Sequence, residues 1–290
     1  MINFTKHKDK YLIFSGILVL ASLLAIVVFG FNFGIELAGG SVLEIEYEEG
    51  RPAIEEVRKD LASLGKGDFQ VQELGDDGFI IRTTDTSEEL YGEAMEVLEG
   101  ATEREFESIG PSVGEELRNM TIIAMILASA LVIIYIAFAF AGASGPVASW
   151  QYGVVATVVA FLHDVLIIVG VFAILGQFLG VQFTIPIVVA LLTTLGYSLN
   201  DTVVIFDRIR ENIGKTAGKF EEIVNSSLNQ TITRSINTSL TTLLVLLAVF
   251  LFGGETLTYF ILALILGVVL GTYSSIFLAS SLLLKWKERA

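Results

Sequence analysis

The chain has no cysteine, only four prolines and two histidines in 290 residues, and just 17% of it is charged. The missing thiols exclude disulfides and thiolate metal sites, but they say little about compartment. The scarcity of charge is concentrated. Tyr11–Phe33, Met120–Phe140, Ile236–Phe252 with its flank, and Leu257–Leu284 hold no Asp, Glu, Lys, Arg or His. Two more stretches, Tyr152–Leu175 and Thr184–Phe206, are interrupted only by His163, Asp164 and Asp201. A chain that is 53% hydrophobic, with a mean hydropathy of +0.70, is far from the balance of a soluble domain. Each stretch is about long enough to cross a bilayer, so the pattern predicts a multi-pass α-helical membrane protein with six transmembrane helices.

Basic residues are also scarce, 18 against 32 acidic ones, and their placement sets the topology. Lys6, Lys8 and Lys10 precede the first span. Arg208, Arg210, Lys215, Lys219 and Arg234 lie around the connection of the fourth and fifth. Lys285, Lys287 and Arg289 follow the sixth. With six spans all three regions fall on one side, which the positive-inside rule makes cytoplasmic, both termini included. The loops Gly176–Phe183 and Gly253–Thr256 carry no basic residue and are expected outside, whereas Ala141–Gln151 has no charge and gives no signal. The first apolar run is about span length with no small-residue cleavage pattern after Phe29, so it is read as a retained anchor.

Residues 31–118 hold 7 Lys/Arg against 23 Asp/Glu, so the acidity of the whole chain, net −14, belongs to one extracytoplasmic domain at 34–118. Val42–Glu49 alternates Leu43, Ile45 and Tyr47 with Glu44, Glu46 and Glu48, the pattern of a half-buried strand. Pro52 is expected to open a helix to about Leu64. Phe69–Leu74 and Phe79–Thr84 read as a strand pair, Ser87 as the cap of a helix to about Leu98, and Glu103–Ile109 as a last strand. The order β-α-β-β-α-β is that of a ferredoxin-like α+β domain, a fold that implies no function.

Asp201 stands inside a span, where an unpaired carboxylate costs a few kcal/mol or more, and chains that keep one generally use it. Thr194, Ser198 and Asp201 recur at i, i+4, i+7, with Arg208 a heptad beyond, on one helical face. Arg234, Asn237, Thr238 and Thr241 form a similar stripe at the start of the fifth span. Such hydroxyls serve as interhelical glue, but glue does not require an ionisable group, so Asp201 is read as functional. His163 and Asp164 allow two readings, a proton relay or a packing hydrogen bond. Ala263, Gly267, Gly271 and Ser275 make a small-residue ridge for packing. The connector at about 207–234, headed by Asp207, Arg208, Arg210 and Glu211, reads either as an amphipathic surface helix or as solvated helix ends. Glu36, Gly39 and Gly40, and then Gly110, Pro111 and Gly114, flank the acidic domain and are hinge candidates. No P-loop pattern occurs, so ATP coupling within this chain is not expected.

Gly34-Ile35-Glu36-Leu37-Ala38-Gly39-Gly40, Gly110–Gly114, Leu162-His163-Asp164-Val165, Gly196–Asn212 and Arg234–Ser239 resemble, in order, the motifs of the SecF family. These are protein-export membrane proteins related to the RND (resistance-nodulation-division) transporters. Glu36 stands where that family commonly has Asp, the carboxylate being kept. The resemblance implies a non-enzymatic subunit of the Sec translocon in the cell membrane, without cofactor or metal, driven by a proton or sodium gradient. The partners it implies are a SecD-like subunit, a SecY-type channel, the translocating polypeptide and membrane lipid, and not nucleic acid. It also implies that Asp201 and Arg234 form the ion-conducting pair, with Asp207 and Arg208 in the same motif. Two alternatives share part of the pattern: an RND-type small-molecule exporter, and an intramembrane aspartyl protease using Asp164 and Asp201. The exporter class normally carries two repeats where this chain has one. The protease class needs Gly-x-Gly-Asp, and here Leu199-Asn200 precede Asp201.

Overall fold

A computed structural model of the chain describes residues 2–48, 50–140, 147–215, 218–254 and 257–289. Most of the charge-free turn expected at 141–151, and Glu255 and Thr256 of the expected outer loop, lie outside the described residues. The chain divides into two compact units, one of 1–31, 124–181 and 186–290, the other of 32–123 and 182–185.

Among the described residues six helices are long and apolar enough to cross a membrane: Thr5–Phe29, Pro111–Ala139, Trp150–Leu179, Ile185–Ile213, Phe220–Phe252 and Thr258–Glu288. The first contains α1 (Lys8–Phe29), and the second is α5 (Pro111–Ala139). The third joins α6 (Ser149–Thr157) to α7 (Leu166–Leu179) through a π-helical segment, Val158–Val165. The fourth is α8 (Ile185–Ile213) and the fifth α9 (Phe220–Phe252). In the sixth, α10 (Thr258–Tyr273) and α11 (Ser280–Arg289) flank a second π-helical segment, Ser274–Ala279. The third, fourth and sixth spans are about half buried within the unit, while the first, second and fifth present most of their surface outward.

Small residues set the closest approaches. A Cβ on Gly267 would fall 2.0 Å from Thr194 Cγ2, and one on Gly271 2.9 Å from Ser198 Cβ, so the expected ridge is where the sixth span packs on the fourth. Gly170 admits Ser22 of α1 in the same way. The three basic regions share one end of the bundle. Lys8 pairs with Glu221 at 3.7 Å and with Glu288, Lys285 with Asp9 at 2.9 Å, and the Phe4 amide donates to Asn225. The expected connector at 207–234 is no separate element, because α8 runs on to Ile213 and α9 starts at Phe220.

The other unit starts with a one-turn helix, α2 (Ile35–Ala38), and continues through β1 (Gly40–Tyr47), α3 (Ile54–Ser63), β2 (Gln70–Leu74), β3 (Gly78–Thr83), α4 (Glu88–Val97) and β4 (Ala101–Ile109). Its antiparallel sheet has the order β2-β3-β1-β4, the ferredoxin-like arrangement expected. Alternation places Leu43, Ile45, Tyr47, Phe79 and Ile81 against Val57 and Leu61 of α3 and Ala94 of α4. Ser87 caps α4 by accepting from the Leu90 amide. Pro52 stands before the cap residue Ala53 and so lies outside the helix it was expected to open. β4 starts two residues earlier than expected. It is an edge strand whose Glu103, Arg104, Glu105 and Glu107 are exposed, which weakens its alternation.

Candidate functional site

Two carboxylates, one buried and one half-buried, organise the membrane-embedded unit. Asp164, 1% exposed, sits in the π-helical part of the third span. Its Oδ1 meets His163 Nδ1 at 2.7 Å, and its Oδ2 accepts from Ser198 Oγ at 2.5 Å and Ser274 Oγ at 2.8 Å. Ser274 opens the π-helical part of the sixth span, and the two π segments pack on one another. Such one-turn widenings recur at functional sites because they re-aim side chains. Here the neighbours His163 and Asp164, expected to point apart, bond to each other. Both atoms of the carboxylate are satisfied.

Asp201 is not. Its Oδ1 accepts from Ser235 Oγ at 2.6 Å, while its Oδ2 is buried without a hydrogen-bond partner. A buried carboxylate oxygen left without a donor carries a desolvation cost of about 1–3 kcal/mol or more, which a proton, a water or a cation relieves. The expected ion pair with Arg234 is not formed: Ser235, one residue on, occupies the near face of α9, and Arg234 is exposed. Arg234 instead lines a crevice with Asp207, Arg208, Arg210, Glu211 and Gln230. Arg208 is held there by Gln230 at 2.6 Å and Glu211 at 2.5 Å, and Arg210 approaches Asp207 at 3.6 Å. Among the described residues no three His, Asp or Glu side chains converge as a metal cluster, so a cation at Asp201 meets one carboxylate and hydroxyls.

The polar stripe of the fourth span divides. Thr194 back-bonds to the Leu191 carbonyl and packs on Gly267, and Ser198 serves Asp164. Thr202 meets Ser275 at 2.7 Å, and Ser275 donates to the Ser198 carbonyl. Tyr197 turns the other way, to Ser239, which meets Thr272 at 2.6 Å. Level with Asp201 and beyond it, the fifth-span residues that face inward are Ser235 and Ser239, both buried, whereas Arg234, Asn237, Thr238 and Thr241 are exposed. Sequence periodicity found the stripe of exposed residues. The i, i+4 pair Ser235/Ser239, about 100° round the same helix, was the signal for the inner one.

The expected hinges meet within the unit of residues 32–123. A Cβ on Gly39 would fall 2.6 Å from Pro111 Cα, and one on Gly114 2.5 Å from the Gly39 nitrogen. Gly39 has φ +80°, open to glycine but costly for other residues. Gly40 in turn lies close to the Thr83 carbonyl. Glu36 lies in α2, beside Gly34, and Gly110 just precedes α5.

Comparison with known proteins assigns this architecture. The family of protein export membrane proteins SecD/SecF, C-terminal part, matches residues 91–289, and the SecD/SecF GG motif matches residues 24–50. The protein translocase subunit SecF of Thermobaculum terrenum is 41% identical, over 100% of this chain and 95% of its own. The SecDF subunit of Thermus thermophilus is 37% identical over 94% of this chain and 37% of its own. A crystal structure of SecDF from that organism, described as a translocon-associated membrane protein, superposes with a TM-score of 0.87 at 33% identity. That match covers 99% of this chain and 39% of the SecDF chain. The chain belongs to the SecF family of protein translocase subunits. It is a membrane protein of the Sec export machinery, of a family that is not enzymatic, and neither the exporter nor the protease alternative finds a relative among these matches.

Proposed function

We propose that the chain works as the gradient-driven half of an export motor, pairing with a SecD-like subunit beside a SecY-type channel in the cell membrane. Asp201 is its ion-carrying group. The observation that carries this is the buried Asp201 Oδ2 with no partner: the atom is withdrawn from water and left open for a proton or a sodium ion. Two observations support the partner. The chain aligns with only 37% of a SecDF chain, whose name joins both subunits. The fifth span also turns Arg234, Asn237, Thr238 and Thr241 outward, a polar stripe on a helix of bilayer-crossing length, which calls for a protein neighbour rather than lipid.

In this account an ion reaches Asp201 from outside, where the acidic domain and the charge-poor loops lie, and the three basic regions are cytoplasmic. Neutralising Asp201 removes the negative charge beside Arg234 and weakens the Ser235 bond. Arg234, which already lines the crevice with Asp207 and Arg208, is then no longer drawn toward Asp201, and the fourth and fifth spans shift together. One charge crossing the full membrane potential supplies about 2.3 kcal/mol per 100 mV, enough to bias a two-state change. The acidic domain, moving about Glu36–Gly40 and Gly110–Gly114, converts that shift into holding and releasing the polypeptide. The test is export into inverted vesicles containing the partner subunit, with and without an ionophore. Asp201→Asn is expected to abolish the ionophore-sensitive part while assembling normally; full stimulation by the variant rejects the reading.

A further inference from the structure

Two polar side-chain atoms in the membrane-embedded unit are buried without a partner among the described residues, and the second is His163 Nε2. His163 is 2% exposed, and its other nitrogen is committed to Asp164 at 2.7 Å. Around Asp164 the donors are already placed, with Ser198 and Ser274 both on Oδ2. A carboxylate oxygen taking two hydroxyl donors has no seat for a proton of its own. With Asp164 ionised, Oδ1 accepts the proton on Nδ1, and the neutral imidazole is then the Nδ1–H tautomer with a bare Nε2 lone pair.

We infer that His163 Nε2 is a proton-loading position, a second titratable station at the crossing of the third, fourth and sixth spans, with Asp164 as its positioning and charge-balancing partner. The inference goes beyond the reading of Asp201 and does not depend on it. In the unloaded couple Asp164 carries −1 and the imidazole is neutral. A hydronium ion gives up a proton, its O–H bond breaking to leave water as an N–H bond forms at Nε2, and the couple becomes neutral overall as an imidazolium–carboxylate pair. Loading thus removes a net buried charge instead of creating one, which offsets the cost of charging a buried histidine. Even if the proton between Nδ1 and Oδ1 moves to the carboxylate, the added proton remains on Nε2.

The surroundings leave the couple to set the chemistry. From the sixth span the Tyr273 ring lies 5.9 Å from the imidazole, with its hydroxyl 3.3 Å from Ser15 of α1. Tyr11 of α1 stacks on Phe277, next to Tyr273. The fourth span contributes Ser198. Of these groups Asp164 alone is charged at neutral pH. Because Asp164 bridges Ser198 and Ser274, a change in its charge is felt on both spans that the Gly271–Ser198 contact holds together.

The two histidines make the test direct, since His7→Asn leaves His163 as the only imidazole. The full-length chain, labelled with nitrogen-15 histidine and reconstituted in lipid bilayers, is followed by solid-state NMR from about pH 9 to about pH 5. The expected result is an Nδ1–H tautomer with a bare Nε2 at high pH that gains a proton reversibly on acidification. In Asp164→Asn, which removes the balancing carboxylate, that gain of a proton is lost over the same range. An Nε2–H tautomer at high pH, an imidazole that never titrates, or one still doubly protonated at the alkaline end would each overturn the proposal. Repeating the titration in Asp201→Asn separates the two stations: an unchanged His163 titration supports independence, whether or not that variant still couples export.

Discussion

Asp164 and Asp201 are the same residue type in neighbouring spans of one bundle, yet they are bonded differently. Asp164 has both oxygens met, by an imidazole and two serine hydroxyls, and its open valence has moved one residue away to His163 Nε2. Asp201 has one oxygen met by Ser235 and the other open. A polar network with every member satisfied rigidifies a core, whereas one with a vacancy stores a cost that a ligand can remove. The first carboxylate, its own oxygens met, therefore holds spans together and leaves the vacancy to His163, whereas the second has the vacancy itself and answers to an ion directly.

The sharpest way to break that comparison is Arg234→Met. Arg234 is exposed and unpaired with Asp201 in this chain, so its loss is expected to leave the thermal stability of the isolated protein within about 0.5 kcal/mol. Ionophore-sensitive export in vesicles with the partner is expected to fall at least tenfold, and Asp207→Asn, at the crevice rim, to act more mildly. A large loss of stability without loss of coupling would reverse the assignment.

Next in size, Asp164→Asn is expected to destabilise the bundle by about 1–3 kcal/mol, because an amide group in that position leaves one of its donors or acceptors unmatched. Asp201→Asn is expected to be near neutral, since its oxygen still accepts from Ser235 and the loss of a half-buried charge offsets the amide nitrogen left where the open oxygen was. Denaturation of the two variants in the same detergent ranks them; equal losses would erase the distinction between the sites. Gly39→Ala is expected to cost about 1–3 kcal/mol, from the positive φ and the contact with Pro111, seen as faster hydrogen exchange at Gly110–Gly114.

How far the sequence revealed these two sites follows from its periodicities. Six apolar stretches, the β-α-β-β-α-β order and the Ser87 cap were all legible, since alternation, span length and capping chemistry are local. The isolated charges in apolar runs pointed to Asp201, Asp164 and His163. The inner face of the fifth span was not legible. Arg234, Asn237, Thr238 and Thr241 have a clear helical period, but a period does not say whether its face meets this chain or a partner. Ser275 was read as a small packing residue and Ser274 drew no reading, because the π-helical turn that aims Ser274 at Asp164 leaves no simple 3.6-residue signature. Pro52 was placed two positions too far inside, at the first helical residue, because proline also suits the residue before a cap.

The smallest expected effect lies in the acidic unit and contrasts with both membrane carboxylates. Glu44 stands opposite Glu105 across the β1–β4 pair, and burial, followed by that neighbouring charge, pushes its carboxyl above the ordinary range. The folded form therefore binds a proton more tightly than the unfolded chain. Stability from this group is present at acid pH and is lost as pH rises from the ordinary carboxylate value through the raised one. Glu44→Gln is accordingly expected to gain roughly 0.2–1 kcal/mol at neutral pH and nothing in acid, measured by hydrogen exchange of β1 and β4 amides in the full chain.

The most direct measurement of the central claim is infrared difference spectroscopy of the reconstituted protein across an acidification step. One component of the protonated-carboxyl C=O band is expected to be missing from Asp201→Asn and retained in Asp164→Asn, read by subtracting each variant's spectrum from that of the unaltered chain so that the bands of the other acidic residues cancel. A band that persists undiminished in Asp201→Asn would contradict the assignment of the open oxygen of Asp201 as the ion-carrying atom.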